Sequence, residues 1–105
     1  MSVAIGAALA KKLNGDNKLV YSLHGDGELQ EGQNWEAIMY AAGNKVDNYI
    51  ATIDLNGKQI DGATDDVLPL GDVAEKFRVF GWDVLEVENG NDLKQIINGL
   101  SLIHI

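Results

Sequence analysis

Two stretches decide the fold: Leu19-Val20-Tyr21-Ser22-Leu23-His24-Gly25-Asp26-Gly27-Glu28, and Tyr49-Ile50-Ala51-Thr52-Ile53-Asp54-Leu55-Asn56-Gly57. Each is a short, largely apolar run that breaks into a glycine-containing turn carrying one short polar side chain. Runs of this length bounded by turn residues read as buried strands. The twenty-eight residues Glu28 to Leu55 lie between the two turn motifs. That is enough for one helical crossover, which returns the chain to a neighbouring parallel strand. Asp26 and Asn56 then fall at the carboxyl ends of adjacent strands, where open α/β sheets bind ligands. Glycines on both sides of Asp26 let backbone approach a ligand without Cβ atoms in the way. Mg²⁺ takes oxygen ligands and usually few from protein, the rest coming from phosphate and water. Asp26, Asn56 and a loop carbonyl near Lys58 make a suitable protein share, so the spacing predicts a site for a hard cation carrying a diphosphate.

Working outward, Ser2 to Leu13 reads as an alanine-rich helix ending at Asn14-Gly15, with Gly6 and the alanines suggesting close packing against a neighbour. Lys18 to His24 is the first strand, Gln33 to Ala42 a helix ended by Gly43-Asn44, and Asn48 to Asp54 the second strand. A loop from Leu55 to Leu70 follows, of a length often associated with function. Asp72 to Phe80 reads as a helix stopped by Gly81, Trp82 to Val87 as a third strand, and Asn89-Gly90 as a turn. Asp92 caps a last helix carrying Leu93, Ile96, Ile97 and Leu100. The order α-β-α-β-α-β-α implies a parallel sheet with right-handed crossovers. The expected class is α/β, a three-layer α/β/α arrangement on a short, mostly parallel sheet. The tail 101–105 is apolar and uncapped and need not be native.

The 105 residues suffice for one small domain, and a hydrophobic fraction of 46% suits a packed core. Eight basic against sixteen acidic residues leave a net charge of −8. This argues against nucleic acid and against anionic membrane surfaces, both of which call for clustered Lys and Arg. It leaves phosphorylated ligands open, because a bound metal and backbone N–H groups supply positive field. With no cysteine, disulfides, thiolate metal sites and cysteine nucleophiles are excluded. A cytoplasmic setting is compatible with this. No stretch reaches the ~18 apolar residues of a membrane span, and no signal peptide is apparent at the N-terminus.

Several motifs have plainer readings. Asp-Gly and Asn-Gly are ordinary turn sequences. His24 is expected to be a strand-end histidine satisfied by a backbone carbonyl, with a phosphate or substrate contact as the alternative. Trp35 and Trp82 read as core, Asp61 as a turn former and Asp65-Asp66 as a solvated pair. An α/β receiver-like binding module, with Asp54 at a strand end, would need an acidic pair after the first strand, whereas here a single glycine-flanked Asp stands.

Taken together, Gly25-Asp26-Gly27, the spacing and Asn56 resemble the cofactor motif of thiamine diphosphate enzymes. Gly25-Asp26-Gly27-Glu28-Leu29-Gln30-Glu31-Gly32-Gln33, Trp35-Glu36-Ala37, Asp54-x-Asn56-Gly57-x-x-Ile60-Asp61-Gly62 and Phe80-Gly81-Trp82-Asp83-Val84 resemble transketolase more narrowly, in its N-terminal-subunit form. The likeness runs from the Ser2 helix to about Leu100. It implies a partial thiamine diphosphate-binding domain over 1–105. It also implies a transferase of the pentose phosphate pathway that moves a two-carbon ketol unit between sugar phosphates, with thiamine diphosphate and Mg²⁺ as cofactors. By position, Asp26 and Asn56 would bind Mg²⁺ through side chains and Lys58 through its carbonyl. Gly25, Gly27 and Glu28 would cradle the diphosphate, Ile60 would pack on the thiazolium, and Glu31 would help link two cofactor sites across a dimer. Family members often carry an apolar residue at the positions of Lys58 and His24. A pyrimidine-binding domain or C-terminal subunit would supply the activating glutamate, within a homodimer or heterotetramer, so the chain alone is expected to be inactive. Related alternatives are 1-deoxyxylulose-5-phosphate synthase and the E1 component of a 2-oxoacid dehydrogenase. Leu29-Gln30-Glu31-Gly32 and Ile60-Asp61-Gly62 weigh against both.

Overall fold

The computed structural model describes residues 1–55, 58–59, 62–63 and 69–102. They form two compact units, Met1–Gly71 and Asp72–Ile105. In the first unit, helix α1 (Ser2–Leu13) leads to strand β1 (Val20–Gly25), a short 3₁₀ helix (Asp26–Gln30), helix α2 (Gly32–Gly43) and strand β2 (Tyr49–Asp54). Strands β1 and β2 pair in parallel, Val20 opposite Tyr49 through to Gly25 opposite Asp54. The parallel pairing inferred from crossover length is therefore observed, and the chain has the expected α/β class.

Helix α1 lies against β1, β2 and α2. Ile5 and Ala8 of α1, Ala37, Ile38 and Ala41 of α2, Leu29, Val46 and Tyr49 are buried with Leu70. The buried positions on α2 recur at helical spacing, so one stripe meets the core while Met39 and Tyr40 stay exposed. Asn48 ties the start of β2 to α1 by donating from Nδ2 to the Ala8 carbonyl at 2.8 Å. Strand alternation places Ser22 and His24 on the same sheet face as Tyr49, and leaves Tyr21 and Leu23 exposed on the other. Gly6 has nothing within 4 Å of where a Cβ would stand, so the close packing expected there is not found among the described residues.

Three helix ends share one device. After α1, the Asp16 N–H donates to Lys11 O and Gly15 N–H to Lys12 O, with Gly15 at φ 69°. After α2, Val46 N–H donates to Ala41 O and Lys45 N–H to Ala42 O, with Lys45 at φ 51°. In the second unit, Trp82 N–H donates to Phe77 O and Gly81 N–H to Arg78 O, with Gly81 at φ 96°. These paired bonds satisfy the last carbonyls of each helix and need a left-handed residue. Asn-Gly and Gly predicted two of the stops at the right residue; after α2 the left-handed residue is Lys45, beyond Gly43-Asn44.

The second unit carries helix α3 (Val73–Val79) and helix α4 (Leu93–Leu102). Asp92 Oδ1 accepts from Lys94 N–H at 2.9 Å, the cap the sequence predicts, and Asp72 Oδ1 accepts from Glu75 N–H at 3.0 Å, which makes Asp72 the cap of α3 and not its first helical residue. Val73 and Phe77 are buried, and Phe77 meets Trp82 edge to face with ring centroids 5.4 Å apart. Gly99 of α4 comes so close to Val87 that a Cβ there would stand 3.0 Å from its Cγ2.

Two expectations need correction. Trp82–Val87 joins no ladder among the described residues, so the third strand is not formed there. An apolar pattern supplies a buried side, whereas a strand also needs a neighbour whose N–H and C=O groups face its own. The loop expected over Leu55–Leu70 contains two short strands, β3 (Lys58–Gln59) and β4 (Gly62–Ala63). They pair antiparallel, Lys58 opposite Ala63 and Gln59 opposite Gly62.

Candidate functional site

At the end of β1, Gly25 keeps an extended backbone, φ −80° and ψ 154°, and the chain then coils into the 3₁₀ helix. Among the described residues nothing lies within 4 Å of the point where a Gly25 Cβ would stand. Asp26, one residue on, is only 4% exposed. The turn is anchored from its far side. Leu29 is wholly buried, Asn34 Nδ2 donates to the Glu28 carbonyl at 2.6 Å, and Trp35 Nε1 donates to the Leu29 carbonyl. Trp35 thus fastens the turn to the first turns of α2, a role closer to structure than to ligand stacking. Glu31 is the N-cap residue of α2 without a side-chain cap bond; its carboxylate accepts from Gln33 Nε2 at 3.0 Å and is exposed.

The register brings Gly25 opposite Asp54, so the turn with Asp26 begins at the same lip of the sheet where β2 ends. Strand β3, which carries Lys58, lies against the 3₁₀ helix. Gly27 is part-buried and Glu28 exposed. Asn56 and Ile60, assigned to metal and thiazolium, lie outside the described residues, as do Asp61 and Asp65-Asp66. Among the described residues no group of three or more His, Cys, Asp or Glu could hold a metal. The buried Asp26 carboxylate, backbone carbonyl oxygens and a ligand's own phosphates would make an all-oxygen donor set. That donor set suits Mg²⁺ rather than Zn²⁺. The buried acid, the open glycine beside it and the neighbouring backbone of β3 fit a metal–diphosphate group.

A polar chain also runs to this turn. His24 Nδ1 is 3.2 Å from Glu28 Oε2, and His24 Nε2 is 2.7 Å from Ser22 Oγ. Ser22 Oγ in turn bonds the Tyr49 hydroxyl, which stands 3.4 Å from His24 Nε2. His24 is buried, as is Tyr49. Burial holds the Tyr49 phenol above the ordinary tyrosine range, while the bond with Ser22 pulls the other way. His24 is thus satisfied by a hydroxyl and a carboxylate, not by the expected backbone carbonyl. Ser22 and Tyr49 carry no motif of their own. The alternation of β1 pairs Ser22 with His24, but Tyr49 joins them only through the interstrand register.

Residues 4–103 match the family model described as transketolase, thiamine diphosphate binding domain. The chain belongs to this transketolase family. It is similar to a 6-deoxy-6-sulfo-D-fructose transketolase subunit of Clostridium sp. (strain MSTE9), 40% identical over 94% of this chain and 36% of the relative. It is also similar to an apulose-4-phosphate transketolase subunit of Actinobacillus succinogenes, 42% identical over 98% of this chain and 37% of the relative. A crystal structure of transketolase from Campylobacter jejuni superposes with a TM-score of 0.79 and 34% identity, over 95% of this chain and 16% of that one. The chain spans about a third of the length of the curated relatives it matches first. Membership in the transketolase family makes thiamine diphosphate the ligand of this domain. No helix among the described residues is long and apolar enough to cross a membrane.

Proposed function

We propose that this chain grips the diphosphate end of thiamine diphosphate and its Mg²⁺ in a transketolase-type site. The site would serve transfer of a two-carbon ketol unit from a ketose phosphate to an aldose phosphate. The observation that supports the reading is the parallel register of β1 and β2, which ends β2 beside the turn carrying the buried Asp26, with β3 against that turn. Asp26 and Asn56 would hold Mg²⁺ through side-chain oxygens and Lys58 through its carbonyl. Gly25 leaves room for close approach, and N–H groups of Gly27 and Glu28 would bind diphosphate oxygens. Ile60 would pack on the thiazolium, and Glu31 would face a second cofactor site across a dimer. Bound thiamine diphosphate supplies the nucleophilic carbon and the electron sink; the protein supplies grip, orientation and a fixed field.

On this reading a pyrimidine-binding domain or C-terminal subunit completes the site, in a homodimer or heterotetramer. Relatives named as subunits support such a division. Those same names span a sulfosugar and a sugar phosphate, so the anionic ketose acted on is a question for substrate profiling.

The test is calorimetry of the complete protein with Mg²⁺ and thiamine diphosphate, followed by a ketol-transfer assay with xylulose 5-phosphate and ribose 5-phosphate. Asp26→Ala should abolish cofactor binding. Undiminished binding by Asp26→Ala would overturn the metal assignment, and CO₂ release from pyruvate would move the chain to a different thiamine enzyme. Turnover by the 105-residue chain without a partner would overturn the division of the site.

A further inference from the structure

We propose that His24 is a positioning residue, and that the hydrogen-bond chain Tyr49–Ser22–His24–Glu28 holds the turn carrying Asp26 in place. The turn needs such a restraint. It leaves β1 through Gly25-Asp26-Gly27, whose glycines impose little backbone preference. It is a five-residue 3₁₀ helix, and runs beyond about four residues are uncommon because their hydrogen-bond geometry is poor. On the α2 side it is fastened by Leu29, Asn34 and Trp35. On the strand side, His24 and Glu28 stand two residues either side of Asp26, and their 3.2 Å bond closes the turn around it.

Elementary donor rules orient the whole chain. An ionised carboxylate only accepts, so His24 Nδ1 carries the proton toward Glu28. In the neutral ring Nε2 then accepts, and it can do so from the Ser22 hydroxyl at 2.7 Å. With its proton given to His24, Ser22 Oγ accepts from the Tyr49 hydroxyl. Every hydroxyl proton has an acceptor, all bonds run in one direction, and such chains reinforce one another. The far end, Tyr49, opens β2 and is buried, so the chain transmits the rigidity of the strand pair to an exposed carboxylate. An apolar side chain at position 24 would fill the same space without reaching Glu28.

The significance for the cofactor rests on the proposed function; the ordering of the turn does not. Both are measured in the complete protein, by hydrogen exchange of the amides at 26–31 without cofactor and by calorimetric affinity for thiamine diphosphate with Mg²⁺. His24→Leu should speed exchange across the turn and weaken cofactor binding, each by about tenfold, the scale of one hydrogen bond to a charged group. His24→Asn keeps an N–H as many bonds from Cα as Nδ1 and should restore both. Ser22→Ala, one link further away, should cause a smaller loss of each. Wild-type exchange and affinity in His24→Leu would overturn the proposal while leaving the cofactor assignment standing. So would a loss in His24→Asn as large as in His24→Leu, because ring packing would then be responsible. Absence of thiamine diphosphate binding in the wild type, with faster turn exchange in His24→Leu, would sink the functional reading and uphold the positioning role. Should His24→Leu fail to fold, His24→Asn and Ser22→Ala decide between the same outcomes.

Discussion

Lys45→Gly should stabilise the protein. Lys45 is the left-handed residue that ends α2, at φ 51°, the place that Gly15 and Gly81 fill after α1 and α3. A non-glycine residue in this conformation is strained by about 1–2 kcal/mol, because Cβ crowds the following carbonyl. Glycine removes that strain but adds unfolded-state freedom worth about 0.4–1 kcal/mol. The difference is a net gain of about 0.5–1 kcal/mol. The backbone bonds at the site survive the change, since Lys45 donates its N–H to Ala42 O and accepts Lys12 Nζ on its carbonyl at 2.9 Å. The Lys45 side chain is exposed, so little packing is lost. Urea unfolding should show a higher midpoint at unchanged slope. Lys45→Ala is the control: it keeps Cβ and should leave the midpoint close to wild type. Equal gains from Lys45→Ala and Lys45→Gly, or a loss from Lys45→Gly, would refute the strain argument.

Ile38→Ala, at a fully buried position of α2, should lower stability by about 2–5 kcal/mol in the same urea assay, and a loss under about 1 kcal/mol would remove α2 from the core. Tyr49 has a phenol pKa raised above the ordinary 10.0, chiefly by burial, so the folded state holds that proton more tightly than the unfolded one. Its stabilising contribution is therefore complete below pH 10 and is lost as pH rises through the folded value; Tyr49→Phe should flatten the alkaline limb of stability against pH. Asp16 is held low by the Lys18 backbone N–H and then Lys11, and Asp47 by the Lys12 side chain. Both contribute above pH 3.8 and lose that contribution as pH falls through their lowered values, so Asp16→Asn with Asp47→Asn should flatten the acid limb.

The local grammar of the chain was readable directly. Asp92 caps its helix because a carboxylate reaches an N–H group two residues ahead, and Gly15 and Gly81 end theirs because glycine enters the left-handed region freely. The two apolar runs and the length between them implied parallel neighbours, since a tight turn cannot return a parallel strand. Asp26 was identifiable as a site residue from its flanking glycines and its place after a strand, and the family likeness rested on the same residues. Other features depend on groups distant in the chain. Trp82–Val87 has a strand's composition, but a ladder requires partner backbone that composition does not specify. The five-residue 3₁₀ turn is fastened where Asn34 and Trp35 reach back six residues to carbonyls at 28 and 29, bonds that no sequence motif announces. Tyr49 meets Ser22 and His24 only because Val20 pairs with Tyr49, and a slip of one residue would send Tyr49 to the opposite face. Residue types and short-range spacing thus determined caps, stops, the parallel strand pair of the first unit and the acid at its edge. Register and burial, set by contacts across tens of residues, decided which side chains share that edge and hold it still.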